Sequence, residues 1–311
     1  MTQKVLVCDS IDPASVEEMR AAGLSVDVRV GLSAKELGEV VGPYHALIVR
    51  SATKVSKEVL ERAGSLRLVV RGGVGVDNIA VDDARRRGVE VMNTPEANTI
   101  AVAEHAIALM FALSRRIAAA DVSMRAGRWD KTKLEGTELY RKTLGLVGLG
   151  RIATEVARRA VALGMRVIAC RRSAKTTEEI TALGVEMVAF DDLLARADVV
   201  SLHLPFSKES HHLFDAARIA RMKKGAALVN CARGGIVDEA ALAQALASGH
   251  LSGAAIDVFE KEPPDPSNPL LRLANVVLTP HLGASTLEGQ NRVGESIARK
   301  VIAFFQAPER A

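Results

Sequence analysis

The stretch Leu144-Gly-Leu-Val-Gly148-Leu-Gly150-Arg-Ile-Ala153 constrains the fold of this chain more than any other. A run of small and apolar residues stops in glycines. It then continues as Thr154-Glu-Val-Ala-Arg-Arg-Ala-Val-Ala-Leu163, whose apolar positions recur at helical spacing. Strand, tight turn and helix in that order are the context a G-x-G-x-x-A dinucleotide fingerprint requires. Gly148 permits the sharp turn, Gly150 lets a pyrophosphate approach the backbone, and Ala153 is small enough for helix and strand to pack closely. The helix N-terminus then faces the anion with free N–H groups. A glycine-rich turn before a helix is common in itself, so the rest of the chain must decide what this one holds.

Aromatic residues make up only 3% of the 311 residues although hydrophobic residues make up 48%, so the core is built from Val, Leu, Ile and Ala. That palette suits parallel strands buried on both faces under helices. The length suffices for one large or two medium domains. The formal net charge is only +4 and no Lys/Arg block is interleaved with aromatics, which argues against a nucleic-acid partner. Cys8, Cys170 and Cys231 lie in apolar segments without C-x-x-C spacing, so reduced thiols are expected rather than disulfides or a metal site. No basic N-terminal region precedes a long apolar run, and no stretch reaches about 18 apolar residues. A soluble, cytoplasmic protein with no membrane partner is expected.

Short apolar strands at 4–8, 25–30, 46–50, 66–71 and 89–92 alternate with helices in the first third and predict a first parallel sheet. One of these strands ends in Arg50-Ser51, and the next empties into the loop Gly72-Gly73-Val74-Gly75-Val-Asp77-Asn78, where backbone amides can lie bare. Residues 99–114 predict a buried helix, apolar on all sides. Its Glu104 and His105 are adjacent and fall on different faces, which reads as satisfied polar groups rather than a catalytic pair. Residues 118–139 read as a polar arm holding the single tryptophan, Trp129, placed to lie against a second subunit. A second sheet follows, with strands at 143–147, 166–170, 186–189, 198–203, 226–231, 252–256 and 275–278 and helices at βαβ spacing. A last amphipathic helix, 288–305, is placed to fold back on the first domain. A cleft between two such domains is the expected ligand site.

In the NAD version of this fold an acidic residue about 20 positions past the glycines holds the ribose 2′-hydroxyl. Here the second strand ends in Arg171-Arg172-Ser173, with two guanidinium groups and a hydroxyl in place of a carboxylate. A planar fork of donors matches a phosphate, so NADP is the preferred cofactor and NAD the alternative.

Three polar residues follow the ends of late strands, where a doubly wound sheet places its ligand crevice: Arg233, Glu262 and His281. Interconverting a 2-hydroxy acid and a 2-oxo acid needs a base for the hydroxyl proton, a cation on the carboxylate and carbonyl, and an acid that orients and charges the base. The three residues are of those kinds, though each also has an ordinary structural reading. His203 ends a strand as well and is assigned a structural or cofactor-side role.

Together the glycine fingerprint, Asn230-Cys-Ala-Arg-Gly-Gly-Ile-Val-Asp-Glu239, Asp257-Val-Phe with Glu262-Pro-Pro, and Pro280-His-Leu-Gly-Ala-Ser285 resemble the D-isomer-specific 2-hydroxyacid dehydrogenases. The likeness runs nearly the whole chain. Ile48-Val-Arg50-Ser-Ala-Thr-Lys54-Val55 and Gly75-Val-Asp-Asn78 are most similar to the D-3-phosphoglycerate dehydrogenase branch, whose members open serine synthesis.

The resemblance implies an α/β fold: a Rossmann dinucleotide-binding domain at 98–283, inserted into a flavodoxin-like substrate domain at 1–97 and 284–311. It implies Arg233, Glu262 and His281 as the catalytic set. It also implies that the Gly73-Val74-Gly75 backbone holds the substrate carboxylate, with Ser51 nearby and Arg50 and Arg71 near a distal phosphate. Arg151 and Ile152 would meet the pyrophosphate and Asp257 the nicotinamide amide, with His203, Pro205, Cys231, Ala232 and Gly283 on the cofactor side. The implied substrate pair is 3-phosphoglycerate and 3-phosphohydroxypyruvate. The alternatives are NADPH-dependent reduction of glyoxylate or hydroxypyruvate, or a dinucleotide sensor without catalysis. A homodimer through the dinucleotide-binding domain is implied as well.

The departures from that branch are specific. Arg171 stands where an Asp is usual, and Arg-Arg-Ser is instead similar to NADP-using glyoxylate and hydroxypyruvate reductases. Leu204 replaces a small polar residue and Val74 a Thr. The sequence ends at Ala311 without a C-terminal regulatory domain, so serine feedback through such a domain is not expected.

Overall fold

Short apolar strands and capped helices build two parallel sheets in the computed structural model, which describes residues 2–172 and 177–307. The chain divides into two compact units, Met1–Asn98 with Ala284–Ala311, and Thr99–Gly283.

The first unit runs β1 (Lys4–Val7), α1 (Pro13–Ala21), β2 (Ser25–Val28), α2 (Ala34–Val40), β3 (Ala46–Val49), α3 (Lys57–Arg62), β4 (Leu68–Arg71), α4 (Val81–Arg86) and β5 (Glu90–Asn93). Its helices begin where side chains satisfy otherwise free N–H groups. Asp12 accepts from the Ser15 N–H with Pro13 in the first turn, and Ser33 with Glu36 forms a reciprocal capping box. The strand order is β2-β1-β3-β4-β5, all parallel, as in flavodoxin-like sheets.

The second unit runs α5 (Thr99–Ser114), α6 (Ile117–Arg125), β6 (Thr143–Val147), α7 (Arg151–Ala162), β7 (Arg166–Cys170), α8 (Glu178–Ala182), β8 (Glu186–Met187), α9 (Phe190–Arg196), β9 (Val199–Leu202), α10 (Ala216–Ala220), β10 (Ala227–Asn230), α11 (Glu239–Ala247), β11 (Gly253–Ile256) and β12 (Val276–Leu278). The last helix, α12 (Leu287–Gln306), returns to the first unit. There Val293, Ile297 and Val301 join the core of Val5, Val7, Ile48 and Val70. Arg292 Nε donates to the Ala97 carbonyl at 3.0 Å and Ser296 Oγ to Glu96 Oε1 at 2.7 Å.

The second sheet has the order β12-β11-β10-β9-β6-β7-β8. Central strands β9, β10 and β11 are buried on both faces, which is why they read as continuous Val, Leu, Ala and Ile rather than as an alternation. The order reverses at β6, which pairs with both β7 and β9, and a doubly wound sheet opens its ligand crevice at such a switch point.

Three local readings differ from the structure. Edge strand β8 has two residues rather than four, because an edge strand has a ladder partner on one side only. The arm is not wholly irregular: it contains α6 and a short 3-10 turn, Lys131–Lys133. Its apolar residues form no packed stripe, with Ile117, Val122, Met124 and Trp129 exposed by 52, 62, 55 and 78%. Helix α5 buries Ala103, Ala106, Leu109 and Met110 on one face, but Ile100 is 38% exposed and Ile107 half-buried on the other. Its apolar circumference therefore exceeds what a single chain covers.

Candidate active site

Strand register gathers the candidate residues of the second unit. Leu278, Ile256, Asn230, Leu202, Val147 and Cys170 pair side by side in one row across the sheet. The residues just beyond this row are His281, Asp257 to Glu262, Cys231 to Arg233, His203 to Pro205, Gly148 to Gly150, and Arg171 with Arg172. All of them emerge from one edge, at the carboxyl ends of parallel strands.

At the switch point the chain leaves β6 through Gly148, whose φ is +88°. A Cβ there would lie 2.4 Å from the His203 carbonyl oxygen, so the turn is closed against β9 and admits only glycine. Gly150 differs: a Cβ on it would meet nothing within 4 Å, so its open side faces free space. Gly150 is the N-cap of α7, no side chain caps that helix, and Arg151 and Ile152 open its first turn. Ala153 is fully buried. A tight turn, an open backbone and an uncapped helix N-terminus fit the pyrophosphate of a dinucleotide.

The adenosine end lies at β7. Arg171 is half-buried and Arg172 exposed, and the Arg172 guanidinium pairs with Glu209 at 3.7 Å. Glu209 lies in the loop after β9 and also accepts from Ser207 Oγ at 2.7 Å. Ser173 lies outside the described residues. On the same side, His203 Nε2 is 2.9 Å from Ser201 Oγ, and burial pushes its imidazole down to about 4, so it is neutral at physiological pH.

The proton-transfer candidates form a contact pair. His281 Nδ1 lies 2.8 Å from Glu262 Oε2, and the Phe259 N–H donates to the other oxygen at 3.2 Å. Burial raises the Glu262 carboxyl, but the hydrogen bond and charge of His281, with the Phe259 N–H, outweigh it and hold the carboxyl below its ordinary value. An anion on Nδ1 selects the tautomer and leaves Nε2 to meet a reacting oxygen. A cavity of about 410 Å³ opens beside the pair, lined by Phe259, Pro264, Leu271 and Leu278 among others.

Arg233 stands in the neighbouring loop. Asn230 shapes it by donating to the Arg233 carbonyl at 3.0 Å and accepting from the Ala232 N–H at 3.0 Å. The Arg233 Nη1 donates to the Ala232 carbonyl at 2.7 Å. A Cβ on Gly234 would overlap the Phe259 carbonyl at 1.7 Å, so this loop packs directly on the one that carries Glu262.

Asp257 is 1% exposed and its carboxylate is engaged by protein donors: Thr279 Oγ1 at 2.6 Å, the Leu282 N–H at 2.7 Å, the Gly283 N–H at 2.9 Å and His105 Nε2 at 3.2 Å. Burial raises this carboxyl, yet the hydrogen bonds of His105, Thr279 and Leu282 bring it below its ordinary value. Glu104 faces the other way, toward Arg159 at 3.4 Å.

The first unit forms its own cluster at the ends of β3 and β4, where Val49 pairs with Arg71. The Arg50 N–H is held by Asp9, its Nη1 donates to the Ser10 carbonyl at 3.2 Å, and its Cγ lies 3.2 Å from where a Gly72 Cβ would sit. The Arg71 guanidinium lies on the open side of Gly73, whose φ of +143° strains any residue with a side chain. The Gly73 N–H donates to Thr94 Oγ1 at 2.8 Å, and Asn93 Nδ2 donates to the Val74 carbonyl, fixing the loop toward Gly75. Ser51 is exposed beside Arg50.

Sequence reasoning passed over Asp9, Thr94 and Glu209, and named Asn78 only as part of a motif. Asn78 Nδ2 donates to the carbonyls of Arg50 and Thr53 at 2.7 and 2.6 Å. Only Asp9, a carboxylate just past a strand end, carried a local signal.

Residues 107–283 match the family described as D-isomer specific 2-hydroxyacid dehydrogenase, NAD binding domain. The chain is 48% identical over 299 residues to a D-3-phosphoglycerate dehydrogenase of Archaeoglobus fulgidus, covering 96% of this chain and 56% of that one. It thus spans about half the length of the relatives of this kind that it matches. A solved structure from Thermus thermophilus superposes with a TM-score of 0.90 at 38% identity, covering 98% of this chain and 97% of that one. A glyoxylate reductase from Paecilomyes thermophila superposes with a TM-score of 0.91 at 30% identity, covering 98% and 96%.

Proposed function

Since the chain belongs to the D-isomer-specific 2-hydroxyacid dehydrogenase family, we propose that it interconverts a D-2-hydroxy acid and its 2-oxo acid, with 3-phosphoglycerate and 3-phosphohydroxypyruvate as the pair. The observation that carries this reading is the 2.8 Å contact of His281 with Glu262 beside an open cavity. A nicotinamide dinucleotide, when bound, supplies or accepts the hydride. His281 Nε2 gives a proton to the carbonyl oxygen in reduction and takes it back in oxidation. Glu262 holds the imidazole through Nδ1 and fixes its tautomer. Arg233 clamps the substrate carboxylate and polarises the carbonyl. Arg50 and Arg71 meet the distal phosphate, and the Gly73–Gly75 backbone with Ser51 the carboxylate, through the Val74 and Gly75 amides because the Gly73 amide is held by Thr94.

For the cofactor, Gly148, Gly150, Arg151 and Ile152 take the pyrophosphate, and Arg171, Arg172 and Ser173 take a 2′-phosphate, so NADP is preferred over NAD. His203, Pro205, Cys231, Ala232, Asp257 and Gly283 line the cofactor side. The arginine pair supports a second reading, NADPH-driven reduction of glyoxylate or hydroxypyruvate. The uncovered face of α5 and the exposed apolar residues of α6 support a homodimer through this unit. No helix among the described residues is long and apolar enough to cross a membrane. The three free, buried cysteines suit a reducing cytoplasm.

The test is absorbance at the nicotinamide band, with NADPH and NADH each offered phosphohydroxypyruvate, hydroxypyruvate and glyoxylate. A large advantage for the phosphorylated substrate supports the first reading, and an advantage for glyoxylate selects the second. Activity with none makes the protein a dinucleotide sensor. NADH outperforming NADPH in the parent, or a preference that Arg171→Asp with Arg172→Pro leaves unmoved, refutes the cofactor assignment.

A further inference from the structure

His105 enters the structure from α5, more than a hundred residues before the strands it meets, and the reaction assigned above does not use it. Its Nε2 lies 3.2 Å from Asp257 Oδ1 and 3.2 Å from Thr279 Oγ1, and its side chain is 19% exposed. The Thr279 hydroxyl donates to the same Oδ1 at 2.6 Å. Around this point the whole segment that carries His281 is fastened to one residue. The Asp257 carboxylate accepts the N–H groups of Leu282 and Gly283, and the Asp257 main-chain oxygen accepts the N–H of His281 at 2.8 Å. His281 itself has a φ of +54°, a left-handed conformation that a residue with a side chain keeps only when its surroundings impose it.

We propose that His105 is a positioning residue for proton transfer: through Asp257 and Thr279 it sets the backbone that aims His281. The inference rests on the assignment of His281 above. The physical chain is short. A buried carboxylate must have its lone pairs occupied. With the His105 donor removed, Oδ1 keeps only Thr279 and the Leu282 N–H, and the Thr279 hydroxyl loses the neighbour that fixes its rotamer. The carboxylate then turns to recover hydrogen bonds and carries the amides of Leu282 and Gly283 with it. Because those amides flank His281, the imidazole moves against a substrate held by other loops. Displacements well under an ångström suffice to slow a proton transfer. Helix α5 keeps a second polar tie through Glu104 and Arg159, so loss of His105 does not detach it.

The test uses the intact chain with His105→Leu and His105→Gln, whose amide can still donate to Oδ1. His105→Leu is expected to lower kcat about 10- to 100-fold, a larger factor than any weakening of NADPH binding, and His105→Gln to recover most of the loss. In the same proteins without substrate, amide exchange at Leu282 and Gly283 is expected to quicken in His105→Leu. Unchanged kcat with unchanged exchange overturns the proposal. So does a loss of kcat matched by an equal loss of folded protein and not relieved by His105→Gln, which marks a purely structural role. If the parent protein reduces no 2-oxo acid, the assignment of His281 fails on its own, and the exchange at Leu282 and Gly283 still decides whether His105 holds the loop.

Discussion

The two glycines of the β6–α7 turn give opposite outcomes when each is replaced by alanine. At Gly148 the new Cβ meets the His203 carbonyl oxygen at 2.4 Å, its carbon at 2.8 Å and the Leu204 nitrogen at 3.3 Å. All three are backbone atoms, and the ladder pins them: the His203 N–H donates to Val147 at 2.8 Å and the Gly148 N–H to Cys170 at 3.0 Å. No rotamer relieves the clash. Forcing a methyl into such a site costs about 1–3 kcal/mol, and the left-handed φ of +88° adds about 1 kcal/mol. The stiffer unfolded chain returns about 0.4–1 kcal/mol, so the net loss is about 1–4 kcal/mol. At Gly150 the backbone is extended, with φ −99° and ψ −169°, and the Cβ meets nothing. Replacing glycine by alanine at an N-cap costs about 0.5–1 kcal/mol, which the same unfolded-state gain offsets. Yet that Cβ occupies the space an incoming pyrophosphate must enter.

Urea unfolding followed by circular dichroism, with dinucleotide binding by calorimetry, separates the two effects. Gly148→Ala is expected to lose stability. Gly150→Ala is expected to keep stability within about 1 kcal/mol and to lose at least about tenfold in affinity. If Gly150→Ala binds NADPH and NADH like the parent, the anion does not approach this backbone, and the reading of the turn is wrong. If it also unfolds as readily as Gly148→Ala, the steric argument fails.

Three further predictions concern the carboxyl-end loops and the core. His281→Ala is expected to lower kcat about 10²- to 10⁴-fold with cofactor affinity unchanged, measured by steady-state kinetics and calorimetry; near-parental turnover would mean another group carries the proton. Asp257 has a folded-state carboxyl depressed below its ordinary 3.8, so its contribution to stability is complete above that value and is lost as the pH falls through the lower folded value. The thermal midpoint should therefore drop on acidification below about pH 4, less so in Asp257→Asn, and superimposable pH curves would contradict the burial argument. Burial pushes the thiols of Cys8 and Cys170 up to about 12 and about 11, and Cys231 is raised as well. Iodoacetamide at pH 8 should label none of the three before unfolding, which mass spectrometry of the intact protein reads directly.

Much of the fold is legible because its signals are local. The Val- and Ala-rich strands follow from burial on both faces, Asp12-Pro13 and Ser33 with Glu36 mark helix starts by their own hydrogen bonds, and Gly148 is demanded by its own φ. Other features are not local. The length of β8 depends on its being an edge strand, which no residue in it announces. The uncovered face of α5 reads as buried because the sequence counts apolar residues but not the neighbours available to cover them. Nothing near Arg172 in the sequence announces that the loop after β9 brings Glu209 beside it.

By itself the sequence determined which chemistry each strand end carries: glycines after β6, guanidinium groups after β7 and β10, a carboxylate after β11 and an imidazole after β12. These are properties of single residues and their immediate neighbours. The tertiary structure decided which of them act on one another. Register alone lines up Cys170, Val147, Leu202, Asn230, Ile256 and Leu278 so that the loops beyond them share an edge. Packing of α5 alone carries His105 to Asp257 and Thr279, a contact between positions 152 and 174 residues apart. Hydrogen bonds reach about 3 Å, and only the folded chain sets which atoms come within that distance.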